Sequence, residues 1–339
     1  MTSVLSMNKD MRAEVLGALR EVYDGRWSRN VGTDGGRTLE WTGRVVVIGA
    51  VTTAWDRAHD VIASMGDRFV LLRMDSTAGR QAAGRQAIAN TGAEGTMRTE
   101  LAQAVAAVLA AMSPLAVTVS APETDVLLAA AAVVTLARTG VEYDYRGDVI
   151  DAHAPEMPTR FAKQLAQVVR GAVAIGMARP DALRLAIRCA RDSMPPLRLM
   201  ILDDLAAHPA SSTAEVRTRL DKPRSTVDRQ LQALHMLGVL QVDEQEHVWA
   251  GKAATLRRYR IGAGIDPGAL NPKSASDLAR SVPELLVPTP NPHKEGTTTP
   301  TPCDISGTDS GAAEAGPPPA GPGRADLLTA RAGSGRCRP

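Results

Sequence analysis

A basic and polar cluster near residue 222 precedes and begins a predicted helix, in the stretch KPRSTVDRQLQALHMLGVL. An arginine can bond two acceptors of guanine, and a glutamine can bond adenine in the same bidentate way. Serine, threonine and lysine side chains suit phosphate oxygens. The candidate residues are Lys222, Arg224, Ser225, Thr226, Arg229 and Gln230. Their types and spacing predict contact with double-stranded DNA from the first turns of this helix.

The elements around this cluster must hold it in place. PPLRLMILDDLAAH predicts one helix, and SSTAEVRTRL predicts a second helix in which Ser212 and Glu215 form a capping box. After the turn at DKP, a third helix has one apolar face, and Gly238 ends it. A β-hairpin follows, and three of its basic residues are expected to contact phosphates: Lys252, Arg257 and Arg258. The order predicts a winged helix-turn-helix over residues 193–262.

The segment STVDRQLQALHMLGVL resembles the recognition helix and wing entry of bacterial regulators of the ArsR and MarR families. That resemblance implies a DNA-binding winged helix. The cysteine pair with which metal-sensing ArsR proteins bind metal on this helix is absent from the sequence, so no metal site is implied. Two alternatives stay open, because winged helices also bind proteins or simply pack against a neighbouring domain.

The first 192 residues predict a different architecture. An amphipathic helix is expected at 8–24, and a hairpin at 25–41. RVVVIGAV at 44–51 is typical of a strand buried on both faces, and 67–74 predicts a second strand. Helices are expected at about 80–90, 97–112, 122–139, 158–176 and 180–192. The predicted fold class is mainly α with a small α/β part.

The stretch from EVYDGRWSRNVGTDGGRTLEW to VVVIGAVTT resembles the hairpin and sensor strand of AAA+ ATPases, including helicase-like proteins of phages and mobile elements. The resemblance implies a partial AAA+-like α/β core over 1–78 and a lid-like helical domain over 79–192. It makes Thr52 or Thr53 a sensor residue. It also makes Arg68 and Arg160 the arginines near a nucleotide.

The phosphate-binding loop of such ATPases is missing, since no G-x-x-x-x-G-K-[ST] occurs. We therefore expect a non-catalytic ATPase remnant that binds no cofactor alone. The alternative is the C-terminal part of an active ATPase or helicase-like motor, which would use ATP and Mg²⁺ once a missing N-terminal part is supplied. A homo-oligomer or an AAA+-like partner subunit would fit either hypothesis. A protein-interaction scaffold is a third.

The predicted hairpin at 25–41 raises one further possibility. It carries Arg26, Arg29 and Arg37 near Trp27 and Trp41. Basic residues beside aromatic rings suit single-stranded nucleic acid, through charge and base stacking. A solvated hairpin whose tryptophans anchor it to the core is the favoured interpretation.

Composition limits the remaining classes of function. The net charge is +2, so DNA binding must come from a local patch. Residues 263–339 hold 13 of the 22 prolines and no aromatic residue, which predicts a disordered tail. The three cysteines lie far apart, no signal peptide is evident, and the longest apolar run, 126–137, is too short to cross a membrane. A cytoplasmic protein without a membrane partner is expected.

Overall fold

The computed structural model describes residues 4, 7–32, 36–57, 68–75, 77–113, 117–249 and 252–273. Helices dominate this part of the chain. The first half contains α1 (Lys9–Tyr23), β1 (Arg26–Val31), β2 (Arg37–Thr42), α2 (Ala54–Arg57), α3 (Arg80–Ala89) and α4 (Glu94–Ala111). The second half begins with α5 (Ala121–Ala137), β3 (Val141–Tyr143), β4 (Val149–Ala152), α6 (Thr159–Ala174) and α7 (Arg179–Asp192). The predicted tail beyond residue 273 lies outside the described residues.

The first helix and the first hairpin form as their sequence patterns predict. Asn8 caps α1, because its side-chain oxygen accepts the backbone N–H of Met11 at 2.9 Å. Strands β1 and β2 pair antiparallel, with Trp27 opposite Trp41. Residues 33–35 of the connecting turn lie outside the described residues.

The predicted α/β core does not appear among the described residues of the first 78. Residues 44–51 belong to no strand, and Val46 and Ile48 are 85% and 94% exposed. Residues 68–74 also lack strand pairing. Both stretches have the composition of strands, but a strand needs a neighbouring strand to bond its backbone, and none of the described residues pairs with them. The interpretation of 44–51 as a buried strand is therefore wrong.

The helices predicted between residues 80 and 192 all form, but they fall into two kinds. Neither α3 nor α4 buries a single residue, and apolar side chains such as Leu101 and Leu109 are exposed on α4. By contrast, α5, α6 and α7 pack closely and bury Leu127, Phe161 and Ile187. The predicted helical domain over 79–192 therefore contains both an exposed part and a tightly packed part.

One apolar cluster joins α5–α7 to the elements that follow them. It contains Phe161 of α6, Leu231 and Tyr259 from the C-terminal elements, and Leu270 from the 3₁₀ turn Pro267–Leu270. Leu270 is only 2% exposed, so packed structure continues past Ala263, where the disordered tail was expected to begin. The core is continuous across residue 193. A domain boundary at that residue stays a prediction.

The start of α5 is fixed by a charged network. Ser120 and Glu123 form a capping box, and both Glu123 carboxylate oxygens accept Nη1 of Arg179 on α7, at 2.8 and 2.7 Å. Burial raises the pKa of Glu123. Hydrogen bonds from Ser120 and Arg179 outweigh that effect, so the pKa lies below its usual value. Glu123 therefore links two core helices in its ionised form.

The lowered pKa of Glu123 predicts acid sensitivity. Its stabilising effect is full above the pKa of an unfolded glutamate, about 4.3, and is lost as the pH falls through the lower folded pKa. At pH 7 we expect Glu123→Gln to lower the free energy of unfolding by about 1–3 kcal/mol. Urea denaturation at several pH values should show this deficit shrinking on acidification. The exposed Glu100→Gln is the control; a deficit for Glu123→Gln that is constant with pH would contradict the account.

Candidate nucleic-acid interface

Six elements after α7 build the candidate interface. They are α8 (Pro196–Ala207), β5 (Ser211–Ser212), α9 (Thr213–Leu220), α10 (Arg224–Met236), β6 (Leu240–Trp249) and β7 (Lys252–Ile261). The strands form one antiparallel sheet in the order β5-β7-β6. Ser212 caps α9, and its capping box with Glu215 is present as predicted. The structure thus has the predicted order of three helices followed by a hairpin.

The turn between α9 and α10 sets the angle of the third helix. Asp221 adopts the left-handed conformation, with φ of +52°, and its N–H bonds the carbonyl oxygen of Arg217 to close α9. Aspartate tolerates this conformation better than most residues. Pro223 then precedes the first turn of α10 with φ of −58°. Gly238, with φ of +72°, follows the helix as the sequence predicts.

The apolar face of α10 fixes which side chains turn outward. Val227, Leu231 and Leu234 are fully buried. Three predicted contact residues are exposed, and their side chains have no hydrogen-bond partner within the described part of the chain: Arg224, Ser225 and Thr226. Lys222 is also exposed, just before the helix. The structure therefore brings four of the predicted residues together on one surface.

Gln230 does not belong to this surface. Its Oε1 accepts Nε of Arg198 at 2.9 Å, and the residue is half-buried. Gln230 lies on the side of α10 that faces α8, and its role as a base-reading residue stays a prediction. The sequence pattern gave no sign of this hydrogen bond, because the partner arginine lies 32 residues earlier in the chain.

Two charged residues missed by the sequence analysis hold the three helices together. Arg198 of α8 is 2% exposed, and its Nη1 donates to the carbonyl oxygens of Ala137 and Thr139 at 2.8 and 2.7 Å. Asp204 of α8 accepts two hydrogen bonds from Arg219 of α9, both at 2.7 Å. These bonds fix α8 against the C-terminal end of α5 and against α9. In the sequence, the only sign of these roles was that both charged residues fall within the apolar helix predicted from PPLRLMILDDLAAH.

The basic residues of the wing are paired with acids. Nε of Arg257 donates to Glu244 at 3.0 Å, and this bond raises the pKa of Arg257. Nη1 of Arg258 donates to the carbonyl oxygen of Ala210 at 2.8 Å and contacts Glu215 at 3.4 Å. Lys252 begins β7, and its side chain lies outside the described residues. The described wing arginines are therefore paired, whereas Arg224 at the start of α10 is exposed and has no ion pair within the described part of the chain.

The geometry is that of a winged helix, and comparison with known families agrees. Residues 199–244 match the family model of the IclR helix-turn-helix domain. The match begins within α8, covers α9 and α10, and ends in β6. It confirms the predicted helix-turn-helix and supports DNA binding, and it is to the IclR type rather than to ArsR or MarR. The chain matches none of the curated proteins and none of the solved structures with which it was compared.

Outside the IclR-type domain, each of the two arginines expected near a nucleotide is paired with an acid. Nη2 of Arg68 contacts Asp24 at 3.3 Å, and Nη1 of Arg160 donates to Glu156 at 2.7 Å. Burial lowers the pKa of Arg68, and the nearby charge of Arg160 lowers it further. Thr52 and Thr53 lie at the start of α2, where their carbonyl oxygens accept backbone N–H groups.

The β1–β2 hairpin is also less basic than expected for a nucleic-acid surface. Arg29 forms an ion pair with Glu14 at 2.7 Å. A groove beside Trp27 and Trp41 is lined by one arginine and three acids: Arg26, Glu21, Asp24 and Glu40. This charge does not favour the phosphates of single-stranded nucleic acid.

No group of three or more metal-ligating side chains occurs among residues whose placement is described. Among those same residues, no helix is long and apolar enough to cross a membrane.

Proposed function

We propose that this chain binds double-stranded DNA through its IclR-type domain, with α10 as the recognition helix. Arg224, Ser225 and Thr226 are the base-reading candidates, and Lys222 is a phosphate contact. The observation that carries this proposal is the exposed, unpaired polar surface at the start of a helix whose opposite face is fully buried. In helix-turn-helix domains the first residues of this helix reach the base edges of the major groove.

The surroundings of α10 suit that role because they are rigid. Arg198, Asp204 and Arg219 join the three helices through short hydrogen bonds. A recognition helix that is already ordered loses little freedom on binding. Arg257 and Arg258 have further N–H donors for phosphates besides those that bond Glu244, Ala210 and Glu215. Lys252 remains a predicted phosphate contact.

The ATPase alternatives lose their basis in the described residues. The predicted core strands are absent there, and each of the two candidate arginines is paired with an acid. A purely protein-binding winged helix is the competing function, and it is distinguished by DNA titration. Homo-oligomerisation and a cytoplasmic location stay predictions. A symmetric dimer would place two half-sites about 34–36 Å apart.

Replacing Arg224 tests the proposed surface. A bidentate contact from arginine to guanine is worth about 1–3 kcal/mol, so Arg224→Ala should weaken duplex binding roughly 5- to 150-fold. Fluorescence anisotropy with a labelled duplex gives the dissociation constant. The matched control is Arg184→Ala, because Arg184 lies on α7, its side chain is 43% exposed, and it pairs with Asp181 of its own helix. Equal affinities for the two variants would argue against α10 as the contact surface.

A further inference from the structure

The hairpin formed by β3 and β4 contacts the recognition helix. Nη2 of Arg229, on the outward side of α10, donates to the carbonyl oxygen of Arg146 at 3.0 Å. Gly147 lies directly against the same guanidinium, since a Cβ at this position would overlap its Nη2 and come within 2.9 Å of its Nε. Gly147 has φ of +84°, which lets the turn approach this closely. One predicted DNA-contact residue is therefore already occupied.

The charge of this hairpin opposes DNA. Residues 141–152 contain four acids and one arginine, a net charge of −3: Glu142, Asp144, Asp148, Asp151 and Arg146. Asp148 and Asp151 are exposed. A phosphate backbone that approaches α10 on this side meets acidic side chains of like charge, which repel it. The hairpin is therefore a poor extension of a DNA-binding surface.

The turn of the hairpin is closed by hydrogen bonds of its own, from the N–H groups of Arg146 and Asp148 to Oδ1 of Asp144, so it moves as a unit if it moves. Strands β3 and β4 have three and four residues and a register irregularity at Glu142 and Tyr143. Val141, at the base, is buried, whereas Tyr145, in the turn, is 88% exposed. Two-stranded hairpins of this length are marginally stable. The turn can therefore move away from α10 while its base stays in the core.

We propose that the turn at residues 144–148 is an autoinhibitory contact, which holds Arg229 and places acidic charge beside the recognition surface until it moves away. This inference rests on the proposed DNA binding. In the closed state the turn withholds one arginine from DNA and repels phosphates. In the open state Arg229 joins Arg224, Ser225 and Thr226. The apparent affinity for DNA is then reduced by the fraction of molecules in the open state.

The glycine at the contact allows a sharp test. In Gly147→Ala the new Cβ displaces the guanidinium of Arg229, so we expect duplex binding to tighten about ten-fold, as for a closed state populated about 90% of the time. Gly176→Ala is the control, because Gly176 also has positive φ, +95°, but a Cβ there meets no atom within 4 Å. The control should bind DNA as the wild type does.

A second variant leaves Gly147 unchanged, so it tests the contact without straining the backbone at that residue. Asp148→Asn removes one exposed acidic charge, and it should tighten binding at low salt by a smaller factor, with the gain lost at high salt. If the wild type binds DNA but neither variant binds more tightly, the autoinhibitory contact is refuted while the proposed function stands. If no form binds duplex DNA at low salt, both are refuted. Circular dichroism confirms that each variant is folded.

Discussion

Arg198→Ala is expected to lower the free energy of unfolding by about 3–5 kcal/mol. The guanidinium is 2% exposed and donates to two backbone carbonyls and to Gln230. Removing it leaves the carbonyl oxygens of Ala137 and Thr139 without this donor in the interior, and each lost bond of this kind costs about 1–3 kcal/mol. Chemical denaturation followed by circular dichroism measures the change.

The controls for Arg198 separate its hydrogen bonds from its bulk. Arg198→Met keeps most of the apolar stem but none of the donors, so it should stay close to the alanine variant. Arg184→Ala, at a half-exposed side chain that pairs with Asp181 of the same helix, should change stability by less than about 0.5 kcal/mol. A methionine variant as stable as the wild type would show that these hydrogen bonds do not hold α10 in place.

Phe161→Ala is expected to cost about 3–5 kcal/mol, because Phe161 is fully buried in the shared core. The guanidinium of Arg138 lies 4.5 Å from the centre of the Phe161 ring. The side chain of Arg138 is only 3% exposed. Removing the ring therefore creates a cavity and takes away the cation–π partner of a buried charge. Phe161→Leu, which preserves most of the apolar volume, should cost less, about 1.5 kcal/mol.

Phe161 also tests whether α5–α7 and the IclR-type domain form one folding unit. Because one apolar cluster contains Phe161 and Leu231, the loss at Phe161 should lower the hydrogen-exchange protection of α10 amides by a similar free energy. Unchanged protection at Leu231 would show that the IclR-type domain is stable independently of α6.

The helix-turn-helix could be predicted because its signals are local. A capping box, an apolar face at helical spacing and a glycine after the helix all lie within short stretches, and Ser212, Leu231 and Gly238 take the predicted places. The same features predicted correctly that Arg224 faces outward. Periodicity also found the helices between residues 80 and 192.

The failures share a different physical origin, since they depend on partners distant in sequence. Residues 44–51 have strand composition, but pairing requires another strand, and Ile48 is exposed. Gln230 was predicted to contact a base, and the sequence gave no sign of its hydrogen bond to Arg198, which lies 32 residues earlier. The contact between Arg229 and the β3–β4 turn spans 83 residues. Leu270 lies in a proline-rich stretch, yet it packs in the core.

Titration of the full chain with a mixed-sequence duplex at about 50 and about 200 mM salt tests the central claim most directly. Four phosphate contacts would make the affinity fall roughly 100-fold between these two concentrations. The account predicts binding at low salt with a steep loss of this kind, and a weaker complex for Arg224→Ala. No binding at the lower salt concentration, or binding that Arg224→Ala leaves unchanged, would contradict the assignment of α10 as a DNA-recognition helix.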